Sequence, residues 1–220
     1  MKILVLGAHP DDMEIGVGGT IARYASMGHS VTMAVVSIPN DTEQRIREAE
    51  QAAQILGADL QVLKVDPCRI RHDRDLVGIF DRVYQQLEPD VVYTHWLEDS
   101  HQDHIAVAHA AVSASRKNRC SVYMYEQTIP GGIGFEGFHA QKYVDITPSI
   151  ETKVKSILAH VSQVSKNGDW WLRGVEGRAM FRGYQIGVKF AESFQVVKEI
   201  FEIPAANDSG GRPETGRRSA

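Results

Sequence analysis

Apolar residues along the chain gather into short runs, separated by longer stretches in which they recur every three or four positions. The short runs are KILVLG (2–7), VTMAVVS (31–37), LQVLKV (60–65), DVVYTH (90–95), SVYMYE (121–126) and KYVDIT (142–147). Several are apolar at consecutive positions, the pattern of parallel strands buried on both faces. The longer stretches read as amphipathic helices. GGTIARYASMGH ends at Gly28, and DTEQRIREAEQAAQILG opens on an Asp cap and stops at Gly57. DRDLVGIFDRVYQQLEPD stops before Pro89, and SHQDHIAVAHAAVSASRKN follows the fourth strand. Alternating β and α elements predict an α/β fold with a mostly parallel sheet and helices on both faces. Residues 148–194 read as mainly helical, packed beside the sheet. The fold is expected to occupy residues 1–203 as a single domain. Residues 204–220, polar and rich in Gly, Arg and Ser, are expected to form a flexible tail.

Composition narrows the function classes. The 220 residues suit one domain with a sizeable core, and 43% hydrophobic with 24% charged residues is ordinary for a soluble protein. A formal net charge of −4 argues against a general nucleic-acid binder, which needs a basic face. Cys68 and Cys120 are the only two cysteines and lie far apart, so neither a disulfide framework nor a CxxC knuckle forms, and a reducing compartment is expected. No apolar run approaches the roughly 18 residues of a membrane span, and the chain enters a strand at once, with no export signal visible.

The candidate chemistry lies at two predicted strand ends. In GAHPDDMEIGVGG (7–19) the first β–α turn carries Asp11, Asp12 and Glu14, where a phosphate-binding turn would need small, uncharged residues. Carboxylates crowded at that point repel an anion and call for a cation. The later glycines Gly16, Gly18 and Gly19 are expected to serve close helix–strand packing. His9 and Asp12, three apart in the turn, can reach one point, and imidazole with carboxylate suits Zn²⁺ or another divalent first-row metal. Acids also favour helix N-termini without any metal. The second cluster, EDSHQDH (98–104), weighs against that simpler account. His101 and His104 are three apart at a helix start, with Asp99 or Ser100 as cap, so both rings lie on one face. One of them completes a His₂–carboxylate set and the other stays free for chemistry. In parallel sheets ligands bind beyond the carboxyl ends of strands, where the strand order reverses. If the tips of the first and fourth strands are neighbours, both clusters face one crevice. His29, His72, His109, His139 and His160 lack comparable spacing, His29 and His72 read as surface, and Trp170 and Trp171 read as core before pocket.

AHPDD after the first strand and HQDH after the fourth resemble the motifs of the LmbE-like/PIG-L family of metal-dependent N-deacetylases. Weaker echoes are RIREAEQAAQILG, KVKSILAHVSQ and GVKFAESF, and DDMEIGVGGTIA is closest to the branch of the bacillithiol-biosynthesis (N-acetylglucosaminyl-malate) deacetylase. The resemblance implies a Rossmann-like, cytoplasmic, homo-oligomeric hydrolase that removes an N-acetyl group from a small N-acetylglucosamine-type substrate. It implies Zn²⁺ on His9, Asp12 and His104, Asp11 as general base, and His101 steadying the oxyanion or donating a proton. Asp103 would orient an imidazole, and Arg45 would contact substrate. Gln102 stands where proline is commoner in the family, Met13 displaces the usual glutamate to Glu14, and the loop SIPNDTEQR after the second strand is short. Two readings compete: a non-catalytic sugar- or metabolite-binding protein of the same fold, and an iron oxygenase with a 2-His-1-carboxylate triad. Alternating β/α elements disfavour the oxygenase, and a binder needs neither Asp11 nor His101.

Overall fold

The run KILVLG forms β1 (Lys2–Gly7) because its residues after Lys2 are buried on both faces of a sheet. Leu4 and Leu6 join one apolar layer, while Ile3 and Val5 join the opposite one. The computed structural model describes residues 1–127, 130–134 and 136–201. The other strands are β2 (Ser30–Val35), β3 (Asp59–Val62), β4 (Val91–Thr94), β5 (Ser121–Tyr125), β6 (Lys142–Asp145) and β7 (Ala191–Lys198). They form one sheet in the order β3-β2-β1-β4-β5-β7-β6. The pairs among β1 to β5 are parallel, whereas β7 runs antiparallel to both β5 and β6.

The helices are α1 (Asp12–Ser26), α2 (Thr42–Leu56), α3 (Arg74–Leu87), α4 (Gln102–Ser115), α5 (Ile150–Leu158), α6 (Val161–Asn167) and α7 (Asp169–Ile186). Residues of α3 and α4 cover one face of the sheet, and residues of α1 and α2 cover the other. Among the described residues no helix is long and apolar enough to cross a membrane. The expected tail falls outside the described residues.

One expectation fails in the last third. The stretch read as helical to residue 194 ends instead in β7, which inserts between β5 and β6. Its buried positions include Glu192 and Ser193, so the apolar alternation that marks a strand is missing.

Glu192 belongs to a buried ion pair laid across the hydrogen-bond ladder of α1. Lys153 Nζ of α5 donates to Glu192 Oε1 (2.5 Å) and to the carbonyls of Glu14 (2.9 Å) and Ile15 (2.8 Å). Glu192 accepts from the backbone N–H groups of Gly19 (2.9 Å) and Thr20 (2.7 Å). Gly18 lets Lys153 lie close to α1, a Cβ there standing 3.4 Å from the Lys153 side chain. A Cβ on Gly16 would stand 2.3 Å from the Tyr125 ring, and one on Gly19 would stand 2.8 Å from Ile146. Gly16 thus meets the helix–strand packing expected of it, whereas Gly18 borders α5 and not a strand.

Candidate metal centre at the tips of the first and fourth strands

β1 pairs in parallel with β2 on one side and β4 on the other, with Ile3 opposite Val91 and Val5 opposite Tyr93. The strand order reverses there, so the turn after Gly7 and the loop after Thr94 open into one crevice. His9, Asp11 and Asp12 come from the first, and His95, Asp99, His101, Asp103 and His104 from the second.

Asp11 is the residue before α1 and adopts φ 96°, ψ −27°. A side chain rarely takes that left-handed conformation, which costs on the order of 1–3 kcal/mol and collects at functional sites. Arg45 of α2 donates to the Pro10 carbonyl (2.7 Å) and lies 3.7 Å from Asp11 Oδ2. Burial raises the Asp11 carboxyl to about 7, helped by the Asp12 charge and opposed by His160 and Arg45.

Asp12 is buried and contacted from all sides. Its Oδ2 accepts from His9 N (2.7 Å), and its Oδ1 accepts from Gln127 Nε2 (2.8 Å) and faces His104 Nε2 at 3.3 Å. Burial disfavours its charge, but His104 and His95 outweigh that and hold the carboxyl well below its ordinary range.

Two carboxylates fix the imidazoles. Asp103 Oδ2 lies 3.1 Å from His9 Nε2, which leaves His9 Nδ1 directed towards Asp12 Oδ2 at 3.7 Å. Asp99 Oδ2 lies 3.0 Å from His104 Nδ1, which leaves Nε2 directed to Asp12. Burial works against a charged His104, yet Asp12 and Asp99 on either side push it up to about 10. One ligand atom each from His9, Asp12 and His104 lies within 4.8 Å of the other two. Two further triads, His9–His101–Asp103 and His95–Asp99–His104, meet the same distance limit. In those, however, the His9 Nε2 and the Asp99 carboxylate are already committed to hydrogen bonds, and His95 Nε2 accepts from Ala8 N at 2.9 Å. The first triad leaves His9 Nδ1 and His104 Nε2 facing Asp12, whose oxygens keep lone pairs beyond the bonds from His9 N and Gln127, a donor set that fits a divalent first-row metal.

His101 itself caps α4, its Nδ1 accepting from Asp103 N (3.2 Å). His101 takes the place of the expected caps, Asp99 or Ser100, and Asp99 instead accepts from His101 N (2.9 Å) while it anchors His104. With Nδ1 an acceptor, a neutral His101 carries its proton on Nε2. Burial, together with the neighbouring His104 and His9, lowers its pKa. The imidazole that Asp103 hydrogen-bonds is therefore that of His9.

Sequence motifs do not point to the roles of His95, Asp99 and Gln127. His95 reads as the end of an apolar strand; it is buried, burial lowers its pKa to about 4, and it stacks on His104 at 3.9 Å. Asp99 reads as a candidate helix cap and not as the partner of His104, whereas nothing in the sequence marks Gln127. Beneath the site Glu14 pairs with the buried His160 (Oε1 to Nε2, 3.0 Å). His72 and His109 stack on one another away from it. His9, Asp11, Asp12, Arg45, His101, Asp103 and His104 all border one cavity of about 610 Å³, walled also by the short 39–41 loop and by Gln163, Lys166 and Asn167 of α6. Trp171 sits in a cluster with Ile15, Ile157 and Val175 and edges the cavity, while Trp170 is 59% exposed, so only Trp171 matches the core reading.

Known proteins resemble this chain in sequence and fold. The family described as PIG-L, GlcNAc-PI de-N-acetylase, matches residues 4–115, spanning β1 to the end of α4. An uncharacterized deacetylase, YaiS, of Escherichia coli K12 is 33% identical over 146 residues, covering 61% of this chain and 72% of the relative. The diacetylchitobiose deacetylase of Thermococcus kodakarensis is 25% identical over 225 residues, covering 91% and 84%. The conserved protein TT1542 of Thermus thermophilus superposes with a TM-score of 0.79 at 25% identity, over 92% of this chain and 97% of that one. The 4-carboxy-2-hydroxymuconate hydratase GalB of Pseudomonas putida KT2440 shares the fold, with a TM-score of 0.77 at 23% identity over 93% and 99%. With the HPDD turn and the HQDH helix start inside the matched segment, the chain belongs to the PIG-L family of N-deacetylases.

Proposed function

We propose that this protein is a zinc-dependent hydrolase that removes the N-acetyl group from a small N-acetylglucosamine-type substrate, with His9, Asp12 and His104 holding the metal. One observation carries the reading: His9 and Asp12 from one strand tip and His104 from the next turn ligand atoms to a common point beside Asp11. The related chitobiose deacetylase supports the substrate class.

A divalent metal held by His9, Asp12 and His104 would lower the pKa of its water towards neutrality and polarise an amide carbonyl. Asp11, set beside Asp12 and steadied by Arg45, accepts a proton from the attacking water. His101 Nε2–H, its ring fixed through Nδ1, donates to the developing oxyanion, a contribution of about 2.7–4 kcal/mol for one such donor elsewhere. The proton held by Asp11 then returns to the departing amine. Asp103 and Asp99 keep the His9 and His104 tautomers, and Arg45 serves the substrate side of the cavity as well as Asp11. The cavity lies within the roughly 300–1,000 Å³ usual for small ligands, so a sugar and part of an aglycone fit. We place the whole activity on residues 1–203 as one domain, in a cytoplasmic homo-oligomer.

The hydratase among the structural neighbours motivates a second reading, in which the same base directs water onto a carbon–carbon double bond. A panel of N-acetylated amino sugars and conjugates, assayed for free amine with and without chelator, separates the two. Amine release that chelator abolishes and Zn²⁺ restores is the expected result. No release from any member, alongside hydration of an unsaturated dicarboxylate, overturns the deacetylase reading.

A further inference from the structure

A second cavity of about 450 Å³ opens next to the catalytic one and shares Trp171 and Pro130 with it. Its wall is one face of α7, on which Trp170, Gly174, Arg178 and Phe181 recur at i, i+4, i+8 and i+11. Trp170 is 59% exposed and Phe181 56%, large aromatic surfaces left open to solvent. The polar residues at the rim are committed elsewhere. Glu126 is held by Arg182 in a two-point pair (2.7 and 2.6 Å) and by Ser193 (2.8 Å), and Arg178 donates to the Ile15 carbonyl (2.9 Å). What remains for a ligand is Trp170, Trp171, Val175 and Phe181. Gly174 makes the room: a Cβ built there meets no atom within 4 Å.

Resting on the deacetylase reading, we infer that this second cavity is a subsite for an apolar aglycone, an aryl or short alkyl group carried by the same N-acetylated amino sugar. Continuity through Trp171 is the reason to place a substrate group there. A sugar anchored beside His101 and Asp11 extends past Trp171 onto the α7 aromatics without leaving the protein. The catalytic cavity, by contrast, is walled by carboxylates, amides and a lysine suited to hydroxyl groups. Rigid aromatic faces favour flat or extended apolar groups.

Gly174→Leu tests this with little risk to the fold, because the position is open space on a helix and leucine is the better helix former. Gly174 lies outside the catalytic cavity, so N-acetylglucosamine itself should be turned over by the variant as by the parent protein. For the parent, the benzyl glycoside should show a KM at least about tenfold below that of the free sugar, and Gly174→Leu should abolish that difference. Trp170→Ala should reduce it in the same direction. Calorimetric titration with the benzyl glycoside supplies a readout independent of turnover. Tight binding lost in Gly174→Leu, without amine release from any sugar, leaves the subsite standing and removes the deacetylase reading. Equal KM values for both substrates, or a preference that Gly174→Leu leaves intact, overturn the subsite. A change of oligomeric state in Gly174→Leu with unchanged kinetics also overturns it, assigning the face to a second copy of the chain.

Discussion

Lys153→Met should unfold the protein at a much lower temperature while leaving every proposed catalytic group in place. Lys153 is fully buried, and its ammonium neutralises Glu192 and satisfies two carbonyls of α1. Methionine fills the space but leaves the Glu192 carboxylate buried without its counterion. Breaking a buried pair in this way costs about 3–5 kcal/mol. In a chain of this size each kcal/mol moves the midpoint by roughly 2–4 °C, so the expected fall is about 6–20 °C. The second variant, Lys153→Met with Glu192→Gln, removes both charges. Its loss should be smaller than that of Lys153→Met alone, because no uncompensated charge stays buried, even though glutamine's single oxygen replaces only one of the two acceptors that Gly19 N and Thr20 N use. Thermal unfolding followed by far-ultraviolet circular dichroism, with chelator present to remove metal linkage, gives the three midpoints. A Lys153→Met midpoint within about 2 °C of the parent would refute the claim that the pair secures α1.

Asp11→Asn should retain metal by elemental analysis yet lose about 10²–10⁴-fold in amine release, the usual worth of a general base; parental turnover would exclude Asp11 from the mechanism. In metal-free protein the Asp11 carboxyl is raised to about 7 from an ordinary 3.8, so the folded state binds the extra proton. Stability from this group is present below about pH 4 and is lost as pH rises through 7, a slope that denaturant titrations should find flattened in Asp11→Asn. His104 is held at about 10, so metal uptake at pH 8 should release close to one proton, seen by calorimetry in buffers of different ionisation heat. Asp99→Ala removes the carboxylate that orients His104, and chelator competition should show metal affinity down about 10–100-fold. Gly16→Ala drives a methyl into the Tyr125 ring, whose hydroxyl is tied to the Leu6 carbonyl, and should cost about 1–3 kcal/mol in urea unfolding. Gly177→Ala, facing open space in α7, should instead stabilise by about 0.5–1 kcal/mol.

Much of the sheet could be read from the chain because its central strands β1, β4 and β5 are buried on both faces, and consecutive apolar residues are a local signal. The helix limits at Gly57 and before Pro89 were equally local, set by a left-handed C-terminal residue and by a residue that cannot continue a helix. β7 escaped for the opposite reason. Its buried Glu192 and Ser193 look like surface residues until Lys153 and Arg182–Glu126 are brought to them. Lys153 itself reads as an ordinary helix-surface charge, and His160 as an isolated histidine.

For the site, the sequence by itself determined which residue types were available and in what spacing: His9 with Asp12 in a turn, His101 with His104 on a helix start. Backbone geometry enforces such neighbours three positions apart. Only the tertiary structure decided that the two groups meet, since that depends on β1 and β4 being adjacent although Ala8 and His95 are 87 positions apart. It also decided which carboxylate serves which imidazole. Asp103 turns to His9 and Asp99 to His104, because hydrogen bonds between distant segments follow the placement of strand ends, which local pattern does not encode.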